Sequence, residues 1–381
     1  MAIYAILFCS IWCLIFVRAM QTIRGVRLFE REDPPEPERW PKLSIVIAAC
    51  NEADTIEHAI VTLLEQDYPD METVLIDDRS TDDTGKIVDG IAESDARVKA
   101  VHVDHLPEKW LGKVHALHVG TQEADGEWIL YTDADVHFRQ GTLRKSIAFA
   151  LAEQADHVAL LPKPLSQSFW MEVCLRTFGN WFLQMMKASR VGKPGSNAFI
   201  GVGAFNLVRR SAFDKTDGFP WLRMEVADDV GLGLLLHRSG ARARFAMACQ
   251  HITVTWYPSI RAMFRGSEKG GALYTLPRVV FMLLFQWALV PSPFVAIVYV
   301  RVPYLWAAGV AVFLFMAANA HVWHARLGNA LLPSLFIPIG QGILSLMMLH
   351  SAIMCTIRGG AVWRDTKYSK QDLRASQRVM L

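Results

Sequence analysis

The longest apolar stretches of this chain lie towards its two ends, and they constrain its fold more than any other feature. Residues 1–17 carry no charged side chain, and three more apolar stretches follow, at 276–300, 304–323 and 331–357. Each of the three is long enough to cross a hydrocarbon core of about 30 Å. We therefore expect membrane-spanning helices on both sides of a water-soluble domain.

The first stretch has the features of a membrane anchor. No positive charge precedes it, and the small-residue cleavage site of a signal peptide is missing. Arg18, Arg24, Arg27 and Arg31 follow it, and such an excess of positive charge marks the cytoplasmic flank of a membrane helix. We expect an anchor with its amino terminus outside and the following domain in the cytoplasm. A buried core helix is the alternative.

The topology of the later stretches stays open. Pro291 and Pro293 predict that the first of them is kinked or partly interfacial. Three crossings from a cytoplasmic domain would place residues 358–381 outside, yet this segment is basic and favours the cytoplasm. A re-entrant segment would resolve the conflict.

Between the apolar ends, strand patterns alternate with helical patterns. Continuous apolar runs such as LSIVIAA are typical of strands that are covered on both faces of a parallel sheet. The alternation predicts an α/β fold with a doubly wound sheet, in which ligands bind at the carboxyl ends of the strands. The predicted strands are 43–49, 72–77, 97–103 and 127–132, and the predicted helices are 53–66, 82–93 and 112–124.

Composition divides the chain into five parts and excludes one class of partner. The net charge is only +2 and no basic, aromatic-interleaved stripe is present, so we expect no nucleic-acid partner. The predicted parts are an anchor (1–20), a linker (21–41), a cytoplasmic α/β domain (42–275) with an interfacial helix near 259–272, a membrane region (276–357) and a basic tail (358–381).

Three acidic clusters stand at strand ends or at the start of a helical stretch. Each cluster alone has an equally good explanation as a turn or helix cap. Together, at βαβ spacing, they predict a single acidic site at one edge of the sheet. The clusters are Asp77–Asp78, Asp133–Ala134–Asp135 and Asp228–Asp229.

Such a site suits the transfer of a group from a nucleotide diphosphate. One or two carboxylates can hold a divalent ion whose other ligands are phosphate oxygens, and the ion neutralises the leaving group. Asp133 and Asp135 are the predicted metal ligands, because alternate residues at a strand end point the same way. Lys113, at a predicted helix start, adds a cation for phosphate. Asp229 is the predicted general base for an acceptor hydroxyl.

The motifs around these residues resemble an inverting family-2 glycosyltransferase with a GT-A fold, over about residues 40–270. Two further motifs resemble the membrane-bound subgroup, which includes ceramide-glucosyltransferase-like, hopanoid-associated and carotenoid glycosyltransferases. The family motifs are VIAACNE (46–52), IDDRSTD (76–82) and TDAD (132–135), and the subgroup motifs are WLGKVHAL (110–117) and ADD (227–229).

The resemblance implies a role for several residues of the donor site. Ala48 and Glu52 would line the nucleoside pocket, and Asp78 would contact the base, which is usually uracil. Asp133 and Asp135 would bracket the diphosphate and a divalent metal, Mg²⁺ or Mn²⁺. Asp135 is the stronger candidate for a metal ligand.

The resemblance also identifies the acceptor side and one departure from the family pattern. The second acid of Asp228–Asp229 would be the base, and Gly203 would lie beneath the donor sugar and acceptor. Related membrane enzymes carry a Gln/Arg-x-x-Arg-Trp motif after the base, and this chain lacks it. Arg261 and Arg265, which share a helix face, would either clamp the diphosphate or meet phospholipid headgroups.

These observations predict an inverting transferase that moves a sugar from a nucleotide-sugar donor, a UDP-sugar, to a membrane lipid. The lipid acceptor is inferred from the architecture, because a soluble acceptor would need no anchor. A polyprenyl phosphate acceptor and a non-catalytic nucleotide-sugar-binding scaffold are the alternatives. Residues 170–190, rich in aromatics and Met, are either a helix packed on the sheet or a surface that dips into the bilayer.

Overall fold

The computed structural model describes residues 2–273, 275–299, 301–328, 330–364 and 366–380. Met1, Val300 and Leu381, which end three of the predicted segments, lie outside the described residues. The strands are β1 (Arg27–Leu28), β2 (Leu43–Ala49), β3 (Met71–Asp78), β4 (Val98–Val103), β5 (Trp128–Asp133), β6 (Val136–Phe138), β7 (His157–Leu161), β8 (Lys163–Pro164), β9 (Asn206–Arg209), β10 (Ala243–Met247), β11 (Ile252–Val254), β12 (Gly360–Trp363) and β13 (Thr366–Ser369). The helices are α1 (Ala2–Gly25), α2 (Ile56–Leu64), α3 (Thr84–Ser94), α4 (Gly112–Glu123), α5 (Thr142–Ala152), α6 (Phe169–Met185), α7 (Arg210–Phe213), α8 (Gly218–Leu222), α9 (Asp228–Arg238), α10 (Ile260–Gly266), α11 (Leu276–Leu289), α12 (Ser292–Val298), α13 (Pro303–Leu327), α14 (Leu331–Leu335), α15 (Ile337–Arg358) and α16 (Lys370–Ala375).

The chain divides into two compact units, which we call the α/β unit and the helical unit. The helical unit takes in residues 166–189 and 257–275, which lie inside the range predicted for the α/β domain. The α/β unit comprises Arg27–Leu165, Arg190–Trp256 and Ala375–Leu381, and the helical unit comprises Met1–Val26, Ser166–Ser189 and Tyr257–Arg374.

The α/β unit is built on an eight-stranded sheet with the order β1-β10-β7-β9-β5-β2-β3-β4. The four predicted strands form its parallel part, where β2 pairs with β3 and β5, and β3 pairs with β4. Strand β9 lies antiparallel between β5 and β7, so the sheet is mixed rather than wholly parallel. A small second sheet has the order β6-β11-β8.

The central strand β2 shows how the sheet prepares a site. Every residue of β2 is buried except Ala48, which is partly exposed near the carboxyl end of the strand. A continuous apolar run is stable here because both faces of the strand are covered. Ala48 pairs with Asp133 of β5, so the predicted nucleoside-pocket residue and a predicted metal ligand share one end of the sheet.

Part of the predicted linker belongs to the α/β unit. Arg27–Leu28 form β1, which pairs in parallel with β10. The ring of Phe29, fully buried, packs edge-on against Phe149 and His251. The segment after the anchor is therefore held to the sheet by strand pairing and by burial of an aromatic side chain.

The described residues of the helical unit include four helical stretches that are long and apolar enough to cross a membrane. The predicted break near Pro291 and Pro293 separates α11 from α12. The side chains of Trp12 and Phe16 on α1 pack with Leu289 and Met316 in one buried cluster. The stretches are Ala2–Gly25, Leu276–Val298, Pro303–Leu327 and Ile337–Arg358.

Helix α6 belongs to the helical unit. Its buried side chains Met171, Cys174 and Leu175 pack with Met263 and Leu344 of the same unit. A Cβ atom on Gly340 of α15 would lie 2.2 Å from Thr177 Oγ1, so the two helices approach closely at this glycine. The structure therefore assigns α6 to the helical unit, whereas one of the two interpretations of residues 170–190 was a helix packed on the sheet.

Candidate active site

The first acidic cluster lies in a hydrogen-bonded turn after β3. Asp78 is 3% exposed, and the Arg79 guanidinium donates to it from Nε at 2.8 Å and from Nη2 at 3.0 Å. Arg79 has a φ of +56°, which aims its side chain back over its own neighbour. The Thr81 amide donates to Asn51 Oδ1 at 2.8 Å, which ties this turn to the end of β2. Arg79 was not among the predicted site residues, although its position inside a predicted motif was a signal for it.

The start of α4 lies directly against this ion pair. A Cβ atom on Gly112 would lie 2.5 Å from both Asp78 Oδ2 and Arg79 Nη2. Only glycine permits so close an approach. The Leu111 amide donates to the carbonyl of Arg223 at 2.7 Å, which fixes the same helix end from the other side. Lys113 is thereby held between the first acidic cluster and the other two.

Lys113 joins the second and third acidic clusters. Its Nζ atom lies 2.6 Å from Asp133 Oδ1 at the end of β5 and 3.3 Å from Asp228 Oδ2 at the start of α9. Burial alone would lower the pKa of Lys113, but Asp133, Asp228 and Asp229 outweigh it and raise the pKa overall. The ammonium group therefore stays charged among three carboxylates.

Asp229 is held at the start of α9 by two backbone amides. The Gly203 amide donates to its Oδ2 at 2.9 Å, and the Val230 amide donates to its Oδ1 at 2.8 Å. Burial, and then the charge of Asp228, raise the pKa of Asp229 to about 6, against the lowering effect of Lys113. A carboxylate that titrates near neutral pH is suited to take up a proton in a reaction.

Close backbone contacts fix the segment 200–203 against α9. A Cβ atom on Gly201 would lie 1.7 Å from the Asp229 carbonyl, and one on Gly233 would lie 2.1 Å from the Ile200 carbonyl. A Cβ atom on Gly203 would lie 2.7 Å from Asp133 Oδ2. The three glycines therefore bring the backbone, the acidic pair and Asp133 within contact of one another.

The predicted metal ligands lie next to one another after β5. Burial, and then the charges of Asp133 and Glu52, raise the pKa of Asp135 to about 7. In the part of the chain that the structure describes, no group of three or more His, Cys, Asp or Glu side chains is arranged to hold a metal ion. Two clustered carboxylates nevertheless fit a divalent cation whose remaining ligands are phosphate oxygens.

The remaining predicted residues occupy different places. The Glu52 amide donates to Thr84 Oγ1 at 2.8 Å, and its Oε2 accepts from Thr55 Oγ1 at 3.0 Å, in the turn after β2. Arg261 and Arg265 lie on α10 in the helical unit, and both are exposed. Their contact with a diphosphate stays a prediction, as does the alternative contact with lipid headgroups.

A pocket in the α/β unit is lined by Lys113, Asp133 and the acidic pair of α9, and it adds residues that the sequence analysis missed. Its described lining does not include Ala48, Glu52, Asp78 or Asp135. Asn206 lies on the antiparallel strand β9, and its Oδ1 accepts from the Val202 amide at 3.3 Å and lies 3.0 Å from His157 Nε2. No sequence pattern pointed to Asn206, because β9 itself was not predicted. The polar lining of the pocket is Lys113, Thr132, Asp133, Gly203, Asn206, Asp228 and Asp229, and the rest of its wall includes Tyr131 and Phe219.

Comparison with known proteins identifies the domain that carries this pocket. Residues 44–217 match the family model described as "Glycosyl transferase family 2", so the chain carries a glycosyl transferase family 2 domain. The family 2 domain predicted from the motifs is confirmed over these residues, and a glycosyltransferase is supported. The membrane-bound subgroup stays a prediction. Asp228 and Asp229 lie beyond the matched range, so the match does not extend to the predicted base.

A solved structure supports the predicted fold. A mannosyltransferase from Pyrobaculum calidifontis, solved in complex with GDP-Man and Mn²⁺, superposes with a TM-score of 0.54 at 17% sequence identity. The match covers 93% of this chain and 98% of that one. At this identity the likeness concerns the fold alone, and it confirms the α/β, Rossmann-like GT-A fold with apolar helices on either side of it in sequence.

Two similar proteins are named for lipid-modifying activities. A β-monoglucosyldiacylglycerol synthase from Nostoc is 27% identical over 239 residues, which are 59% of this chain and 49% of that protein. A 4,4'-diaponeurosporenoate glycosyltransferase from Staphylococcus aureus is 31% identical over 140 residues, which are 36% of this chain and 35% of that protein. The chain thus spans about a third to a half of the length of these relatives.

Proposed function

We propose that this protein is an inverting glycosyltransferase that moves a sugar from a nucleotide-sugar donor, a UDP-sugar, to a hydroxyl group of a membrane lipid. The observation that carries the proposal is the constellation at the end of β5. There the Gly203 amide orients Asp229 at 2.9 Å, and Lys113 bridges Asp133 and Asp228 beside it. A proton acceptor and a cation for a leaving diphosphate are thus within one pocket.

The proposed reaction is a single displacement at the anomeric carbon of the donor sugar. The acceptor oxygen forms a bond to this carbon while the bond from the carbon to the diphosphate oxygen breaks. Asp229 takes the hydroxyl proton, and the nucleoside diphosphate leaves with the electron pair of the broken bond. Lys113 stabilises the charge that develops on the diphosphate. A divalent cation bound by Asp133 and Asp135 would supply further neutralisation of the same charge.

Two observations support a lipid as the acceptor. Four stretches among the described residues are long and apolar enough to cross a membrane, and two similar proteins are named for transfer to a diacylglycerol lipid and to a carotenoid acid. A transferase held at the membrane gains most when its acceptor is confined there as well. We further propose that the α/β unit lies on the cytoplasmic side, because arginines cluster at the carboxyl end of the first apolar stretch, at Arg18 and Arg24 within α1 and at Arg27 and Arg31 after it.

The general-base role is tested by Asp229→Asn. The amide cannot accept the hydroxyl proton, so we expect the transfer rate to fall by about 100- to 10,000-fold while donor binding is retained. The rate is measured by mass spectrometry of lipid products, with UDP-sugars and GDP-mannose supplied in turn together with a membrane lipid extract. Asp214→Asn, which removes an exposed carboxylate from the same unit, serves as the control and should keep the wild-type rate.

The same variant separates the alternative functions. A polyprenyl phosphate acceptor is already an anion and needs no base, so near-normal turnover of Asp229→Asn would contradict the hydroxyl acceptor. A non-catalytic scaffold would bind UDP in the presence of Mn²⁺ and consume no nucleotide sugar in any combination. The intact constellation around Asp229 favours the enzyme over the scaffold.

A further inference from the structure

A buried carboxylate outside the pocket connects the acidic pair of α9 to a distant segment of the chain. Glu225 is 1% exposed, and its Oε1 accepts from the Ala227 amide at 3.1 Å. Its Oε2 accepts from the Arg378 amide at 2.6 Å and from the Val379 amide at 3.0 Å. Ala227 directly precedes Asp228, so one carboxylate binds both the start of α9 and residues 378–379.

The stem of Glu225 also packs on the first turn of α9. A Cβ atom on Gly231 would lie 3.1 Å from Glu225 Cγ and 2.7 Å from Leu222 Cδ2. The Gly231 amide donates to the Ala227 carbonyl at 2.7 Å within this turn. A shift of Glu225 therefore moves the turn that carries Asp228 and Asp229, because no space separates them.

Residues 378–379 are fixed by more than these two hydrogen bonds. The side chain of Val379 is 1% exposed. The Arg378 guanidinium lies 5.0 Å from the ring centroid of Trp221, and the Arg238 guanidinium of α9 lies 5.2 Å from the same centroid. Trp221 lies near the end of α8, and the Arg223 carbonyl that receives the Leu111 amide and Glu225 directly follow this helix. The segment 221–225 therefore contacts the starts of both α4 and α9.

We propose that Glu225 is a positioning residue for the transfer reaction, and that residues 378–379 hold it in place by donating two backbone amides to its carboxylate. The proposal rests on the transferase function set out above. A buried carboxylate that loses two of its hydrogen bonds cannot stay where it is without a large desolvation cost. Release of residues 378–379 therefore reorients Glu225, and with it the first turn of α9.

The consequence is a loss of rate rather than of donor affinity. Asp229 must accept a proton from a correctly placed hydroxyl, and a displacement of about 1 Å can reduce the rate by about a hundredfold. The Asp78–Arg79 pair and Asp135 lie at or just after the ends of β3 and β5 rather than on α9, so binding of the nucleotide is expected to persist. Turnover thereby depends on residues 375–380, although this segment does not line the pocket.

Val379→Asp tests the proposal, with Met380→Asp as its matched control. Val379 is buried beside Glu225, so a carboxylate there repels Glu225 and expels the segment, whereas Met380 is 93% exposed and the same charge change is tolerated. Val379→Ile retains an apolar side chain and should behave as wild type. The full-length proteins are compared in detergent micelles by turnover with UDP-glucose, UDP-galactose, UDP-N-acetylglucosamine or GDP-mannose, by equilibrium binding of UDP with Mn²⁺, and by hydrogen exchange.

We expect Val379→Asp to lower kcat by about tenfold or more, with UDP affinity and the melting temperature close to wild type. Amides of residues 226–231 should exchange faster in this variant than in the wild type. Their exchange rates should be unchanged in Met380→Asp and Val379→Ile. A wild-type kcat for Val379→Asp, or faster exchange of residues 376–380 without any change at 226–231, would overturn the proposal. If the wild-type protein consumed none of the donors, the proposed function would fail, and the exchange comparison would still decide whether residues 378–379 position α9.

Discussion

At the scale of single residues, the chemistry depends on the protonation of Asp229. Burial and Asp228 raise its pKa to about 6, and the carboxylate accepts a proton only above that value. We therefore expect kcat/KM to be low at pH 5 and to rise to a plateau above about pH 7, as expected for a base of this pKa. The measurement is a profile of initial rates between pH 5 and pH 8, with the melting temperature recorded at each pH.

Two variants show whether this inflection belongs to Asp229. The residual rate of Asp229→Asn should lose the inflection near pH 6. Lys113 lowers the pKa of Asp229, so Lys113→Met should move the inflection of the remaining activity to higher pH. Lys86→Met removes an exposed lysine of α3 and should leave the profile unchanged. A profile that keeps its inflection in Asp229→Asn would assign the titration to another group.

At the scale of elements, the sequence predicted strands and helices with a regular apolar pattern. It did not predict an antiparallel strand or a residue with a positive φ. The apolar run of β2 was predicted at Leu43–Ala49, the bounds that the structure has, because a strand buried on both faces must be apolar throughout. Strand β9 was missed because an antiparallel strand between two distant segments has no local signature. The pocket residue Asn206 was missed with it. Arg79 escaped for a different reason: its pairing with Asp78 depends on a positive φ, which sequence spacing does not reveal.

The position of α9 depends on a glycine that faces a backbone. Gly233 and Gly90 both lie inside eleven-residue helices, α9 and α3, but a Cβ atom on Gly233 would meet the Ile200 carbonyl at 2.1 Å and one on Gly90 would meet nothing within 4 Å. Gly233→Ala should therefore destabilise the protein by about 1–3 kcal/mol and reduce turnover. Gly90→Ala should stabilise it by up to about 1 kcal/mol, because alanine favours a helix.

Thermal unfolding of the two variants measures the difference between their melting temperatures. A lower melting temperature for Gly233→Ala together with an equal or higher one for Gly90→Ala is the expected pair. Equal effects of the two substitutions would mean that the segment 200–203 moves without cost to make room for a Cβ atom. The close contact at Gly233 would then not be what fixes α9 against this segment.

At the scale of the whole molecule, contacts inside the helical unit indicate which apolar stretch does not cross the membrane. The Arg326 guanidinium at the end of α13 donates at 2.6 Å to the carbonyls of Arg24 and Val26, at the end of α1. A second contact lies near the carboxyl end of α15. There His350 Nε2 lies 3.0 Å from Glu268 Oε1, and Arg358 also contacts Glu268. Val26 directly precedes the first segment of the α/β unit, and Glu268 follows Trp256, after which the chain passes from that unit into α10 and the apolar stretches.

We therefore expect both ends of the stretch 328–358 to lie on the same side of the membrane as residues 26 and 268, which favours α14–α15 as a re-entrant or interfacial element. The remaining crossings are then α1, α11–α12 and α13. Two of them, α11–α12 and α13, lie between Trp256 and Ala375, so these two residues would lie on the same side of the membrane. This parity agrees with the membership of residues 375–380 in the α/β unit and with their hydrogen bonds to Glu225. It also removes the conflict between a basic tail and three crossings after the domain.

The topology is tested with cysteines introduced on either side of α13 and in the tail, in a variant whose native cysteines are replaced. Arg301→Cys should react with a membrane-impermeant maleimide added to intact cells, because it lies between α12 and α13, which the proposed topology places on the outer side. Ala330→Cys and Met380→Cys, both at exposed positions, should react only after the cells are opened. Labelling of Ala330→Cys in intact cells would place the end of α13 outside and make α14–α15 a crossing, and Met380→Cys serves as the internal control for membrane integrity.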